Sequence, residues 1–479
     1  MELTRRAFFG TAVLAAGGTL FAKSGLGAPN IKVGVISDIH VVPDRYNRQT
    51  RQYFLKVLNL FKKADVDAVI IAGDLTDRGI MSEMILVSES WYEVFPDDKN
   101  NGKKVEKIFV TGNHDAGGYR WMAKDPEKRA ELAKEGLDAD WNGNWRKLFR
   151  EDYSPIFLKT VKGYAFVGAH WKEWHNGKLE KFLEENKDKL DSSKPFFYAQ
   201  HPHLSNTVFG DWAWGAWDDR EFARKALGKY PNAFAFSGHA HYSLTDERNV
   251  WQGEFTAVGT SSTSYTANPS GRTHPRKNAS PNRQAMIMNV WDDVVTLERY
   301  DLVNDEKLDE DWVVPVLRSA SGDRKFAFEN RSKETKAPEF PEGVKFKQTV
   351  KGYVKGDNAQ GEFTLAIPAI KARDWRCRVY DYEVAVETTV CDVTMVSETR
   401  RVFATGYNIS AKRAVEDTVC VFPMAGFPKV KSHKRSIRFG ITPINCFGKR
   451  GKTVWCDFNP KYEKAPKTEK TGNNKAKKA

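Results

Sequence analysis

Asp38, His40, Asp74, Asn113, His201, His239 and His241 carry carboxylate, amide and imidazole side chains. These are the donors that hard and borderline metal ions accept. They are scattered through the chain, yet each follows a short apolar run. IKVGVIS precedes Asp38 and His40, DAVIIAG precedes Asp74, and KIFVTG precedes Asn113. PFFYAQ precedes His201, and AFAFSG precedes His239 and His241. Seven such donors exceed the needs of one ion. They suit two divalent or trivalent ions with one carboxylate shared between them. His114 stands among them in TGNHDAGG, between Asn113 and Asp115. A turn favours Asn and Asp, but has no use for an imidazole.

The elements that must position these residues follow from the pattern around them. Residues 31–300 alternate short apolar strands with amphipathic helices. RQYFLKVLNLFKKA, for example, places Phe54, Val57, Leu58 and Phe61 on one helical face. That alternation predicts an α/β layer fold. The carboxyl ends of its strands form one edge of the sheet, where distant residues meet. GEFTAVGT, RQAMIMNVW and DVVTLERYDL read as strands without intervening helices, in the same sheet or a second one.

In this order, SDIH, GDLTDRG, GNHD, the histidine of AQHPH, and GHAH resemble the motif set of the calcineurin-like metallophosphoesterases, over roughly residues 31–300. The resemblance implies a four-layer α-β-β-α sandwich that hydrolyses phosphate esters. Asp38, His40 and His241 would hold one metal, Asp74 would bridge, and Asn113, His201 and His239 would complete the second. The ions would be iron, manganese or zinc. A metal-bound hydroxide would attack phosphorus in line, with no covalent enzyme intermediate. His114 would aid the leaving group, and Asp115 would orient its imidazole through the ring N–H. Arg78, in a GDxxDRG setting, is a candidate phosphate contact. His203 and His170 are candidate substrate contacts at strand ends, while Asp77 is expected to order its own loop. Thr76 and Asp77 replace the tyrosine motif of purple acid phosphatases, which argues against that subgroup. Monoester, diester and lipid phosphate substrates all stay open. The alternative is a degenerate core acting as an envelope or glycan display module. The presence of all seven donors favours the enzyme.

The rest of the chain sets the context. Its 479 residues, 41% hydrophobic and 29% charged, suit two or three domains. The net charge is +13, of which +5 falls in the segment from Lys461 on, with seven Lys and two Glu. No basic stripe is interleaved with aromatics, so specific nucleic-acid binding is not expected. Residues 1–28 carry LTRRAFFG near their start and continue through TAVLAAGGTLF to a small-residue stretch, resembling a twin-arginine export signal. The expectation is therefore a bacterial protein that meets the twin-arginine machinery, becomes periplasmic or extracellular, and keeps no transmembrane span.

Residues 29–317 form the esterase domain and 318–343 a polar linker. Residues 344–458 form an all-β sandwich whose closing strands resemble a fibronectin type III domain, and 459–479 a basic disordered tail. The five cysteines lie in the last quarter of the chain and allow at most two disulfides. Trp212, Trp214 and Trp217 follow His201 in FGDWAWGAWDD. They either pack on the domain or stack against a base or an apolar leaving group.

Overall fold

The structure, a computed structural model, describes residues 26–43, 48–214, 220–268, 276–280, 282–319, 321–355, 358–372, 374–424 and 435–462. The export-signal reading therefore lies almost wholly outside the described residues, as do the tail beyond 462, Trp217 and residues 269–275. Among the described residues no helix is long and apolar enough to cross a membrane.

The first half of the chain runs β1 (Ile31–Ile36), α1 (Thr50–Ala64), β2 (Ala68–Ala72), α2 (Met81–Val94) and β3 (Glu106–Val110). A four-residue α3 (Tyr119–Met122), α4 (Pro126–Ala133) and α5 (Trp141–Phe149) follow. Next come β4 (Ile156–Val161), β5 (Tyr164–Ala169), α6 (Lys178–Glu185), β6 (Phe196–Ala199), α7 (Arg220–Leu227) and β7 (Ala233–Ser237). The series closes with β8 (Val250–Gln252), β9 (Thr256–Gly259), β10 (Gln284–Val290), β11 (Val294–Asp301), β12 (Glu306–Lys307), β13 (Trp312–Pro315) and α8 (Phe328–Glu334).

Two sheets result. One has the order β12-β11-β10-β1-β2-β3, with β13 also paired to β11; the other has the order β8-β9-β7-β6-β5-β4. The β10–β11 hairpin thus extends the first sheet rather than forming a third one. The sheets face each other across one core, in which Val33, Val35 and Ile70 meet Phe166, Phe197, Phe234 and Phe236. The opposite face of the first sheet, including Val69, Ile71 and Phe109, takes Phe54 and Phe61 of α1 and Met84 and Trp91 of α2. Leu179 and Leu183 of α6 and Leu227 of α7 cover the second sheet. The domain is therefore a four-layer α-β-β-α sandwich, the architecture that the resemblance implies. Strand β2 reads AVIIA because both of its faces are buried, and alternate residues point into different cores. Removing one such anchor, as in Phe61→Ala, costs about 3–5 kcal/mol.

β1, β2 and β3 pair in parallel, as do β5, β6 and β7. Parallel pairing places all the carboxyl ends of a set on one edge, so the loops after β1, β2 and β3 are neighbours, as are those after β6 and β7.

From Thr335 the chain forms a second compact unit. It is an all-β sandwich of two four-stranded sheets. Phe363, Leu365 and Phe422 from one sheet, and Tyr382, Val384 and Phe439 from the other, fill its core. All five cysteines are free thiols. The expected linker 318–343 contains α8, which the polar sequence did not announce. Arg331 of α8 is buried and ion-paired with Glu247, which also binds Arg299 and the indole N–H of Trp312. A charged anchor of this kind leaves no apolar periodicity to read.

Candidate metal centre

The polar residues leave the strands in tight turns. Asp38 (φ 50°), His40 (φ 47°), Asp74 (φ 53°), His239 (φ 71°) and His241 (φ 58°) all adopt left-handed backbone, which Asp and His tolerate better than most residues. Glycines sit beside them for want of space. A Cβ on Gly112 would stand 2.1 Å from Asp74 Oδ1, and one on Gly238 would stand 2.3 Å from Asp38 Oδ2. The backbone N–H of His239 donates to Asp38 Oδ2 at 2.9 Å, and that of His114 donates to Asp74 Oδ1 at 2.9 Å. Each carboxylate thus ties together turns from separate strands.

Three groups of donor atoms converge: Asp38, His40 and His241; His40, Asp74 and His114; and Asp74, His201 and His239. Within each group the atoms lie within 4.8 Å of one another. The imidazoles are pre-aimed. His201 Nδ1 donates to the carbonyl of Ala72 at 2.9 Å, and His241 Nδ1 donates to that of Tyr265 at 3.1 Å. A carbonyl only accepts, so each Nδ1 carries the hydrogen and each Nε2 turns a lone pair inward.

Those lone pairs point at negative oxygens. His201 Nε2 stands 3.1 Å from Asp74 Oδ2, and His241 Nε2 stands 3.0 Å from Asp38 Oδ1. His40 Nε2 and His241 Nε2 are 3.3 Å apart. The buried Oδ1 of Asn113 has no hydrogen-bond partner among the described residues. Lone pairs facing carboxylates repel unless a cation lies between them, so the donor set fits metal ions.

The electrostatics carry the same signature. Burial opposes ionisation of Asp38, yet His241 and His201 draw it below its ordinary value. Asp74 is likewise held well below the usual range against burial, by His201 and His114. Burial works against a charge on His201 too, but Asp74 and Asp38 push it up to about 9. Without metal, a proton on His201 supplies the missing positive charge.

The expected partner of His114 is different. Its Nδ1 donates to the backbone carbonyl of Asp77 at 2.6 Å. Asp115 is turned away, accepting from Gly112 N, Thr76 N, Thr76 Oγ1 and Leu75 N at 2.7–3.1 Å. Four donors, three from the turn after β2 and one from the turn after β3, saturate its carboxylate, which clamps the two turns together. Asp77 does more than order its own loop. Its Oδ1 lies 3.4 Å from His40 Nδ1 and its Oδ2 accepts from Arg48 at 2.6 Å, so it braces one imidazole with its side chain and another with its backbone.

Three other sequence candidates lie away from the opening. His170 is buried, its Nδ1 accepts from Thr111 N at 3.1 Å, and its ring packs against Tyr153 and Trp145. Burial first, then Lys159, lowers it to about 3, so it stays neutral. His203 is buried, with Nδ1 2.8 Å from Ser237 Oγ, and burial followed by Arg220 also lowers it to about 3. Arg78 donates through Nε to Glu83 at 2.6 Å. Partners away from the opening hold these groups: a backbone N–H for His170, a hydroxyl for His203 and a carboxylate for Arg78.

The centre opens into a cleft of about 560 Å³ lined by His40, Asp74, Asn113, His114, His239 and His241 at its floor. Arg48, Asp77, Trp121, Met122, Trp214 and Tyr265 form the wall. Sequence reasoning missed Arg48, Trp121 and Met122. Tyr265 lies in GTSSTSYTANPSGRTHPRK, a polar stretch that the sequence offers as a candidate for substrate contacts without singling out this residue.

This geometry is that of a metallophosphoesterase fold with its polar edge assembled. Residues 31–243 match the calcineurin-like phosphoesterase family, and the first unit contains a calcineurin-like metallophosphoesterase domain. No curated protein matches the sequence. Among solved structures, a dimetal phosphatase from Danio rerio is 11% identical, with 61% of this chain and 100% of that chain covered and a TM-score of 0.37. The phosphoesterase Yfce of E. coli is 15% identical, covering 60% of this chain and 100% of its own, with a TM-score of 0.28. GAP50, the anchor in the inner membrane complex of Plasmodium, is 11% identical, with 60% and 88% covered and a TM-score of 0.36.

Proposed function

We propose that the first unit is a metal-dependent phosphoric ester hydrolase. Asp38, His40 and His241 hold one ion, Asn113, His201 and His239 hold the other, and Asp74 is shared. The observation that carries this reading is the convergence of Asp38, Asp74 and inward-facing imidazole nitrogens on one small volume. When bound, two ions of the iron, manganese or zinc type supply charge neutralisation for the phosphoryl oxygens and an acidified water.

The chain does the rest. Asp77 O fixes the hydrogen of His114 on Nδ1. Nε2 is therefore the atom that exchanges a proton with the ester, and a protonated Nε2 donates to the departing oxygen. Burial of Asp38 and Asp74 keeps water from competing for the donor atoms. The export reading belongs to the same proposal, and fusing residues 1–28 to a reporter and following its translocation tests it.

Purified protein, assayed on p-nitrophenyl and bis-p-nitrophenyl phosphate with its metal content measured, tests the reading. Turnover should follow metal occupancy and vanish on chelation. Ester hydrolysis unaffected by exhaustive chelation would overturn it.

A further inference from the structure

The wall of the cleft differs in kind from its floor. Its apolar members are Trp121, Trp214, Tyr265 and Met122, with no branched aliphatic side chain among the described lining residues. Trp121 is 51% exposed and Met122 39% exposed, although both sit in the short α3 beside the centre. Tyr119 of the same helix is buried, and Arg120 is ion-paired with Asp138. The helix is therefore pinned while its tryptophan stands open. The Trp121 ring meets the His114 ring edge to face, at 5.5 Å between centroids and 82° between planes. Trp214 lines the same cleft and packs against the cluster of Ala240 and Tyr242, which adjoin His239 and His241 in the chain.

Charge adds a second observation. Arg48 is the only Lys or Arg among the described lining residues, and Asp77 already holds it at 2.6 Å. A phosphate monoester brings two negative charges and three terminal oxygens. Beyond the metal centre, the described lining residues offer them no uncommitted cation. A diester brings one charge and a second ester group that must lie against something apolar.

We infer that the cleft takes phosphodiesters bearing planar aromatic groups, with Trp121 as the specificity residue that grips the departing group. The inference rests on the hydrolase reading above. Trp121 is placed for this role because it borders His114, the residue assigned to the leaving oxygen. Trp214, on the side of His239 and His241, receives the ester group that is retained. Aromatic faces and a thioether are polarisable surfaces that favour π-systems over alkyl chains. In hydrolysis the phosphorus–oxygen bond to the aryl group breaks, water supplies the new oxygen, and one proton passes through His114 to the leaving aryl oxide.

The test compares p-nitrophenyl phosphate, bis-p-nitrophenyl phosphate and methyl p-nitrophenyl phosphate on metal-loaded protein and its variants. The wild-type kcat/KM should favour bis-p-nitrophenyl phosphate over p-nitrophenyl phosphate by at least about tenfold. Trp121→Ala should lower kcat/KM about tenfold for both diesters, the scale of a lost stacking contact, and Trp121→Phe should restore most of it. Trp214→Ala should penalise bis-p-nitrophenyl phosphate and spare the methyl ester. Quenching of tryptophan fluorescence by p-nitrobenzyl phosphonate, which is not turned over, should weaken in Trp121→Ala.

A preference for the monoester, or equal kcat/KM in Trp121→Ala and wild type, would overturn the inference while leaving the hydrolase standing. No hydrolysis of any ester by protein that holds metal would overturn both.

Discussion

The floor and the wall of the cleft are built from opposite materials. Every predicted ligand on the floor sits at a strand end, and Asp38, Asp74, His201, His239 and His241 are almost fully buried. Each has its geometry set by a main-chain partner or a neighbouring ligand. The wall is built from loops and a four-residue helix, with Trp121 exposed and Trp214 and Tyr265 half-buried. A floor of this kind fixes what reaction is possible, because small displacements of donor atoms are not tolerated. On the proposed reading the wall selects the ester, since loop side chains vary without unsettling the layers beneath.

The sharpest way to break this contrast is Asp74→Ala. Asp74 stands in two of the three donor groups, so turnover should fall to the level left by chelation, with metal lost by elemental analysis. A variant that kept both ions would end the sharing assigned to that carboxylate. His114→Ala should cost about 10²- to 10⁴-fold in kcat while metal content stays unchanged. Metal loss here would place His114 among the ligands, as its proximity to His40 and Asp74 permits.

Asp77→Asn keeps the backbone carbonyl that holds His114 but weakens the brace on His40 and Arg48. It should cost about 10- to 100-fold, the range for groups that orient a ligand. An Asp115→Asn variant should act mainly through loop order, raising protease sensitivity more than it lowers kcat.

The mildest effect concerns Glu83, which accepts from Asp77 N, Arg78 N and Arg78 Nε beneath the wall. Burial pushes it up to about 7 from 4.5, against the pull of Arg78. Between those values the folded chain keeps a proton that the unfolded chain has released. Stability should therefore fall as pH rises through that window, by at most about 1.4 kcal/mol per pH unit, and level off above it. Glu83→Gln should flatten that segment in denaturant titrations, and an unchanged slope would show that Glu83 ionises normally.

The same contrast explains what the sequence disclosed. The convergence of the donors was legible because residue type and strand-end position together place them on one edge, and parallel pairing does the assembling. The bracing of His114 was not legible, since the carbonyl of Asp77 is a backbone group with no residue signature. His170 and His203 shared the strand-end position of the ligands. Their inward direction follows from Trp145, Tyr153 and Ser237, all remote from at least one of them in sequence. Trp121 and Met122 lay in a short segment without periodicity, where nothing distinguishes an exposed ring from a packed one. The helix around Arg331 stayed hidden because its anchor is an ion pair rather than an apolar stripe.

The turn conformations at the floor have an engineering consequence. Five of the seven proposed ligands occupy backbone that glycine adopts more cheaply, by of order 1 kcal/mol at each position. A directed-evolution campaign that scored heat resistance alone would therefore be drawn toward emptying these very positions. Any screen for a sturdier variant must select for catalysis in the same round.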